Sequence, residues 1–195
     1  MVATVSVYLD TGGADGAPGT LTDIDALGPP ALRFKTADNP TIDTVNPVPI
    51  PAAGTNRSFV KSLYMRCDIA PDTQIDNIRF FTDGGGFGTG ITTFIGDQFP
   101  VRNSGSTAAY RVATGTVGTT GTEMTANYLS ITTKSDAFSF TAGSPKTGPT
   151  ISEAGSIINA VAETSNYFVL QVDVGTTATP GNKPDETLTL IYDEI

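Results

Sequence analysis

The chain has 195 residues and a net charge of −9, since 20 acidic residues outnumber 11 basic ones. This charge repels a phosphate backbone, so we expect no nucleic-acid partner. The chain contains no histidine, which removes the usual general base, the commonest neutral metal ligand and most familiar hydrolase mechanisms. We therefore expect a protein that is not an enzyme.

Two features bear on compartment. The single cysteine, Cys67, excludes an intramolecular disulfide, and its apolar surroundings predict a buried side chain. The first ten residues, MVATVSVYLD, lack the basic and long apolar regions of a signal peptide, and no apolar run approaches the length of a membrane span. We expect synthesis in the cytoplasm, no secretion by a signal peptide and no membrane partner.

The N-terminal quarter combines one strand with a long irregular segment. Apolar and polar residues alternate from Val2 to Leu9 and predict a first strand. Residues 10–56 are rich in Gly, Pro and Asp, with one short strand candidate at Ala31–Lys35. The prolines within Asn46–Pro51 favour extended backbone and cannot donate to a central sheet ladder. We predict that residues 10–56 form an extended arm or covering loops on their own sheet or a neighbour's; a disordered linker is the alternative.

The middle of the chain reads as a series of short strands. Ser58–Ile69 and Gln74–Thr82 have the strongest strand patterns, and the glycines of Asp83–Gly90 predict a loop or bulged hairpin. Short strands at this spacing are typical of a sandwich or barrel. The further candidates are Ile91–Ile95, Ala108–Thr114, Asn127–Thr133 and Ala137–Thr141.

The C-terminal part adds one predicted helix and two strands. Thr150–Glu153 has the form of a capping box, and the apolar spacing that follows predicts a short helix over Ile151–Glu163. The final strands are predicted at Tyr167–Val174 and Glu186–Asp193, joined by a turn-rich connection. The predicted fold is a single all-β domain over residues 1–195, an antiparallel β-sandwich of jelly-roll or immunoglobulin-like type.

One motif suggests catalysis. The LDTG sequence at Leu9–Gly12 resembles the aspartic protease signature, in which one Asp shares a proton with a second. A dimer partner would have to supply that second Asp, and the motif begins too early to leave much room for a preceding strand and loop. Because a strand that ends in a Gly-rich turn explains the motif without chemistry, we interpret it as structural.

Acidic residues in the N-terminal segment suggest a second kind of site. Asp10, Asp15, Asp23 and Asp25 would suit a structural Ca²⁺ if the loops gathered them, although their spacing is not that of an EF-hand. Solvated acids in turns are the simpler interpretation. We expect no cofactor, and structural Ca²⁺ is the alternative.

A family resemblance rests on two segments, Ser58–Gly85 and Tyr167–Ile195, in a chain without a signal peptide, histidine or catalytic motif. They resemble β-sandwich virion structural proteins of tailed bacterial or archaeal viruses, and capsid decoration (cement) proteins most of all. The resemblance implies a virion protein that binds the outer capsid surface, stabilises it by bridging subunits, and assembles as a homo-oligomer, with a trimer favoured. The implied partner is the major capsid protein or another virion protein.

The irregular segments are the natural candidates for contact with such partners. The alternatives are a tail, neck or fibre component, and a jelly-roll module that binds carbohydrate or a host surface. The last would usually expose Trp or Tyr, and this chain has no Trp. The predicted interface residues are Asp10, Pro18, Pro30, Pro40, Pro47, Pro49, Pro51, Pro180, Asn182 and Lys183.

Overall fold

The computed structural model describes residues 2–97, 100–102, 107–125, 133–147 and 158–195. These residues contain no α-helix, so none of them forms a helix able to cross a membrane, and their only helical turns are of the 3₁₀ type at Asp25–Leu27 and Ala137–Ser139. The strands are β1 (Thr4–Thr11), β2 (Thr20–Asp23), β3 (Thr55–Arg57), β4 (Lys61–Ile69), β5 (Ile75–Thr82), β6 (Ile91–Gly96), β7 (Gly115–Thr116), β8 (Thr120–Gly121), β9 (Lys134–Asp136), β10 (Lys146–Thr147), β11 (Phe168–Gly175) and β12 (Leu188–Glu194).

The strands form antiparallel sheets of unequal width. Seven strands make the larger sheet, in the order β2-β1-β4-β11-β6-β9, and β3 pairs with the far end of β11. Three strands make the smaller sheet, in the order β10-β5-β12, and β7 pairs with β8 as a short hairpin. The prediction of antiparallel β structure is therefore confirmed for the described residues.

One apolar core joins the two larger sheets. Both sheets contribute fully buried side chains to it, and residues of β12 pack against it while only partly buried. Cys67 is fully buried there, as predicted, and burial raises the pKa of its thiol. The principal members are Leu63, Met65, Cys67, Phe168 and Leu170 from the larger sheet, and Ile75, Ile78 and Phe80 from the smaller one.

A second core lies on the opposite face of the larger sheet. It includes Tyr64, Tyr110 and Tyr167 with Val169, and the rings of Tyr64 and Tyr167 meet edge to face at 5.8 Å. Successive side chains of a strand point to opposite faces, so Phe168 enters the first core while its neighbours enter the second. This explains why β11, between β4 and β6, is buried along nearly its whole length.

The two C-terminal strands form as predicted, but they belong to different sheets. Strand β11 pairs with β3, β4 and β6 in the larger sheet, whereas β12 pairs with β5 in the smaller one. The connection between them therefore crosses from one sheet to the other. Phe168, Leu170 and Val172 are buried.

Several local predictions are wrong. Ala31–Lys35 and Ala108–Thr114 are not strands. In the second segment the Tyr110 ring is buried, and the Tyr110 amide donates to the Thr107 carbonyl in a turn. Residues 137–139 form a 3₁₀ turn because the Asp136 carboxylate accepts from the Phe138 amide. The strand predicted at Asn127–Thr133 lies outside the described residues, apart from its last residue.

The predicted helix is also not seen in the part of it that the structure describes. Residues 151–157 lie outside that part, and residues 158–163 are irregular. The Ile158 amide and carbonyl both bond to Ile75 in a β-bridge, which removes them from helical hydrogen bonding. Ala162 has a left-handed φ of 71°, which ends any continuing right-handed turn.

No extended N-terminal arm is seen. Residues 10–56 instead contain the end of β1, all of β2 and the start of β3, and their middle packs on the body. Lys35 and Thr36 are almost fully buried; the Phe59 amide donates to the Lys35 carbonyl at 2.9 Å, and the Gly118 amide to Thr36 Oγ1 at 2.9 Å. A three-stranded sheet leaves part of a seven-stranded sheet uncovered, so this segment covers apolar surface that would otherwise meet water.

The shared core predicts that the two sheets unfold together. Replacing Ile78 in β5 by Ala should lower the free energy of unfolding by about 2–5 kcal/mol, because it leaves a cavity in a core to which both sheets contribute. Urea denaturation followed by tyrosine fluorescence and circular dichroism measures the change. Val161→Ala, at a side chain that is 58% exposed, is the control and should change stability by less than about 0.5 kcal/mol. Two separate transitions in the wild type would contradict a shared core.

Candidate functional site

A large apolar cavity of about 890 Å³ lies between the two sheets at one side of the molecule. One wall is the inner face of β11, which contributes Phe168, Leu170, Val172 and Val174 at every second position. The opposite wall includes Phe80 of β5 with Leu188 and Leu190 of β12. A space of this volume and lining is typical of a binding site in proteins.

The proline-rich segment forms a further wall. In this covering segment, residues 28–50, Phe34 packs edge to face on Phe87 at 6.1 Å between ring centroids, and Phe87 packs in the same way on Phe138 at 5.8 Å. Val48 packs against the cluster that contains Val172 and Val174, near the C-terminal end of β11. The glycine-rich loop that was predicted after β5 thus places one aromatic ring, Phe87, at the edge of the cavity.

Buried polar contacts hold the covering segment. The Lys35 ammonium donates to the Thr41 carbonyl at 2.9 Å and to Asp43 Oδ1 at 3.0 Å, and its side chain is 4% exposed. The hydrogen bond from Lys35 lowers the pKa of Asp43. The Thr36 amide donates to the Asn46 carbonyl at 2.9 Å. The segment is therefore cross-linked to itself although it has no regular secondary structure.

The connection between β11 and β12, residues 176–187, completes the rim. The Lys183 ammonium donates to the Thr179 carbonyl at 2.7 Å, and the Thr187 amide donates to Asp83 Oδ2 at 3.2 Å. Gly90 has a φ of 74°, and a Cβ there would lie 2.4 Å from the Ala178 nitrogen. Only glycine allows this approach of the glycine-rich loop to the connection.

The rim carries crowded carboxylates. Burial and then the neighbouring Asp83 carboxylate raise the pKa of Glu186, although a hydrogen bond from the Gly86 amide lowers it. Hydrogen bonds from the Gly85 and Thr187 amides lower the pKa of Asp83. The two neighbouring acids are therefore unequal: Asp83 ionises more readily than an ordinary aspartate and Glu186 less readily than an ordinary glutamate.

The structure brings most of the predicted interface residues to this one site. Asp10, Pro18, Pro40 and Pro51 do not line the cavity. Phe34, Phe87 and the cavity itself were not predicted. The cavity exists because one sheet has fewer strands than the other, and local sequence patterns do not show how many strands each sheet contains. The predicted residues that line the cavity are Pro30, Pro47, Pro49, Pro180, Asn182 and Lys183.

Asp10, the residue of the protease-like motif, lies in a buried network instead. The Tyr167 hydroxyl donates to Asp10 Oδ2 at 2.6 Å and Arg102 Nε donates to the same atom at 3.4 Å. The Arg102 Cζ atom lies 3.7 Å from the centre of the Tyr64 ring. Because the Asp10 side chain is 0% exposed, it cannot meet a carboxylate of a second subunit in this structure. These contacts are those of a buried structural hydrogen-bond network.

The four N-terminal acids do not assemble into a cation site. Asp15 accepts from the Val112 amide, Asp23 accepts from the Asp25 amide, and Asp25 accepts from the Val7 amide, all through separate contacts. Within the described ranges, no group of three or more potential ligand side chains comes together.

Comparison with known proteins gives no relative: no family model matches the sequence, and neither a curated protein nor a solved structure matches it significantly. The geometry of the cavity and its rim therefore carries the functional argument.

The Asp10 network predicts an unusual pH dependence. Burial raises the pKa of Asp10 above 3.8 despite hydrogen bonds from Tyr167 and Arg102. Folding therefore favours the protonated carboxyl, and this contribution to stability is present below pH 3.8 and is lost as the pH rises through the folded pKa. Unfolding free energies measured from pH 3 to 7 should show the wild type losing stability relative to Asp10→Asn as the pH rises.

Asp97→Asn is the control with the opposite sign. Burial opposes ionisation of Asp97, but hydrogen bonds from Ser135, Thr133 and Lys146 outweigh it and lower its pKa. The wild type should therefore gain stability relative to Asp97→Asn as the pH rises through this range. Parallel curves for the two variants would contradict the assignment of Asp10 to a desolvated site.

Proposed function

We propose that this chain is a structural protein of a bacteriophage-type virus particle, a capsid decoration protein that binds and stabilises the outer surface of the shell through non-covalent contacts. Its partners in this proposal are the major capsid protein or another virion protein, together with further copies of itself, most simply as a trimer. It catalyses no reaction and uses no cofactor. It is made in the host cytoplasm and resides in the virion.

The proposed architecture is a single-domain β-sandwich of jelly-roll or immunoglobulin-like type. Its support is the apolar core to which the seven-stranded and three-stranded sheets both contribute. The short antiparallel strands and the long loops between them are typical of this class of fold.

The observation that carries the functional proposal is the concentration of contact-forming features on one face. The covering segment and the connection before β12 meet around the apolar cavity, and Val45 and Ile50 at its rim are 60% and 37% exposed. Apolar surface within a polar rim marks interaction sites in proteins. Prolines on this face reduce the flexibility that binding would otherwise have to remove.

The overall charge fits attachment to the outside of a shell. A net charge of −9 disfavours contact with packaged nucleic acid. Repetition of one modest contact at every lattice position raises the strength of attachment through multivalency when the protein is oligomeric. A tail, neck or fibre component would use the same face but differ in symmetry and copy number.

The carbohydrate-binding alternative loses three of the six tyrosines as candidate contacts. Tyr64, Tyr110 and Tyr167 are each 1% exposed and belong to the second core. They are not available to stack on a sugar ring.

The proposal predicts that the cavity rim controls binding to particles. The double variant Val45→Asp, Ile50→Asp should weaken binding by about tenfold or more, because it adds charge to apolar contact surface that binding would desolvate. Co-sedimentation of the purified protein with particles that lack it, over a range of concentrations, measures the affinity.

The matched control is Val101→Asp, Val161→Asp, which adds the same charge at side chains 55% and 58% exposed and outside the cavity. It should bind within about twofold of the wild type. A wild-type protein that stays monomeric and binds no capsid, tail or fibre would refute the proposal.

A further inference from the structure

Strand β12 has one unpaired edge. In the described part of the chain it pairs with β5 alone, and it ends the order of the smaller sheet. In an antiparallel pair, every second residue of an edge strand turns its N–H and C=O away from its neighbour. Leu188–Glu194 thus presents a row of backbone donors and acceptors of the kind to which another strand can add.

The apolar cavity borders the same strand. Its floor follows Phe168, Leu170, Val172 and Val174 along one face of β11, a distance of about 20 Å at roughly 3.3 Å per residue. Leu188 and Leu190 of β12 border the same space. An extended chain of about seven residues has this length, and its alternate side chains would point toward the floor.

The rim is acidic. Asp25, Asp185 and Glu186 line it and form no ion pair within the described ranges, and Arg33 and Lys183 are basic residues that line the same cavity. The third cation of the rim, Lys35, is already neutralised by Asp43 at 3.0 Å. Asp83 adds a further negative charge beside Glu186.

We propose that the cavity and the free edge of β12 together form a site for strand addition, which takes an extended segment of a partner protein. The segment adds to β12 through backbone hydrogen bonds, and its alternate apolar side chains fill the cavity. A basic residue at one or both ends of the segment meets the acidic rim. This mode of recognition uses backbone bonds for affinity and side-chain spacing for specificity.

Charge argues for a partner of different sequence rather than a second copy. A second copy also has a net charge of −9, so the overall charges of two copies repel each other, whereas a basic segment of another protein is attracted. A small apolar molecule would fill the cavity but leave the backbone groups of β12 unpaired. The identification of the partner as a virion protein rests on the proposed function, whereas strand addition itself does not.

Synthetic peptides test the site directly. The peptide KVTVTVTVK alternates apolar and polar residues, and KVVTTTVVK has the same composition without alternation. The alternating peptide should slow amide hydrogen exchange in residues 188–194 by about tenfold or more and bind about tenfold more tightly than the other. EVTVTVTVE should bind more weakly than its lysine counterpart, because its ends repel the rim.

Variants that fill the cavity provide the second arm. Val174→Phe and Val172→Phe each place an aromatic ring in the cavity, and circular dichroism first confirms that both variants fold. Each should reduce binding of KVTVTVTVK by about tenfold, whereas Val161→Phe, outside the cavity, should leave it unchanged. Palmitate is the small-molecule probe and should not protect β12.

Three results would overturn the inference: no binding of the alternating peptide up to about 1 mM, equal binding of both lysine peptides, or binding of palmitate in place of peptide. Wild-type self-association that Val174→Phe abolishes would assign the site to a second copy and also overturn it. If the peptides fail while the protein still binds particles, strand addition is wrong and the proposed function stands. If the peptide binds but the protein does not bind particles, strand addition stands and the proposed function is wrong.

Discussion

The unequal width of the two packed sheets is the constraint on which the rest of this structure depends. Strands β4 and β11 present continuous apolar faces, and the smaller sheet is too narrow to cover all of them. Apolar surface that no strand covers must be covered by other parts of the chain, because exposure costs about 25 cal/mol per Å². The covering segment and the connection to β12 cover only part of this apolar surface, and the cavity lies over the part that they leave uncovered.

The opposite face of the larger sheet shows what complete covering looks like. There the Gln171 amide group donates to the carbonyls of Ser58 and Thr122 at 2.8 Å each and accepts from the Met124 amide at 2.9 Å. These contacts satisfy the buried amide group of Gln171 and hold Thr122 and Met124 over the sheet. In the described part of the chain, loops cover this face, whereas the face with the cavity is covered only in part.

The sequence pattern shows where the strands are, but it does not show which sheet each strand joins. Alternation along β1, β4, β5, β6, β11 and β12 could be read directly, since side-chain period is a local property. Which sheet each strand joins depends on contacts between distant residues, so the separation of β11 from β12 could not be read. The same alternation misled at Ala31–Lys35 and Ala108–Thr114, where apolar side chains are needed to anchor loops. Proline content marked the covering segment as unusual. The cavity could not be predicted, because it depends on β12 having no second neighbouring strand in the described residues. The sequence placed Phe87 in a glycine-rich loop but did not show that its ring borders a cavity.

The central claim is that this protein acts by assembly through its cavity face. A cryo-electron microscopy reconstruction of a particle carrying the protein tests it most directly. The account predicts density for the protein at fixed lattice positions, with the covering segment against the shell and an added strand beside β12 from a neighbouring protein. Particle-bound protein whose cavity face points to solvent, with β12 unpaired, would contradict it.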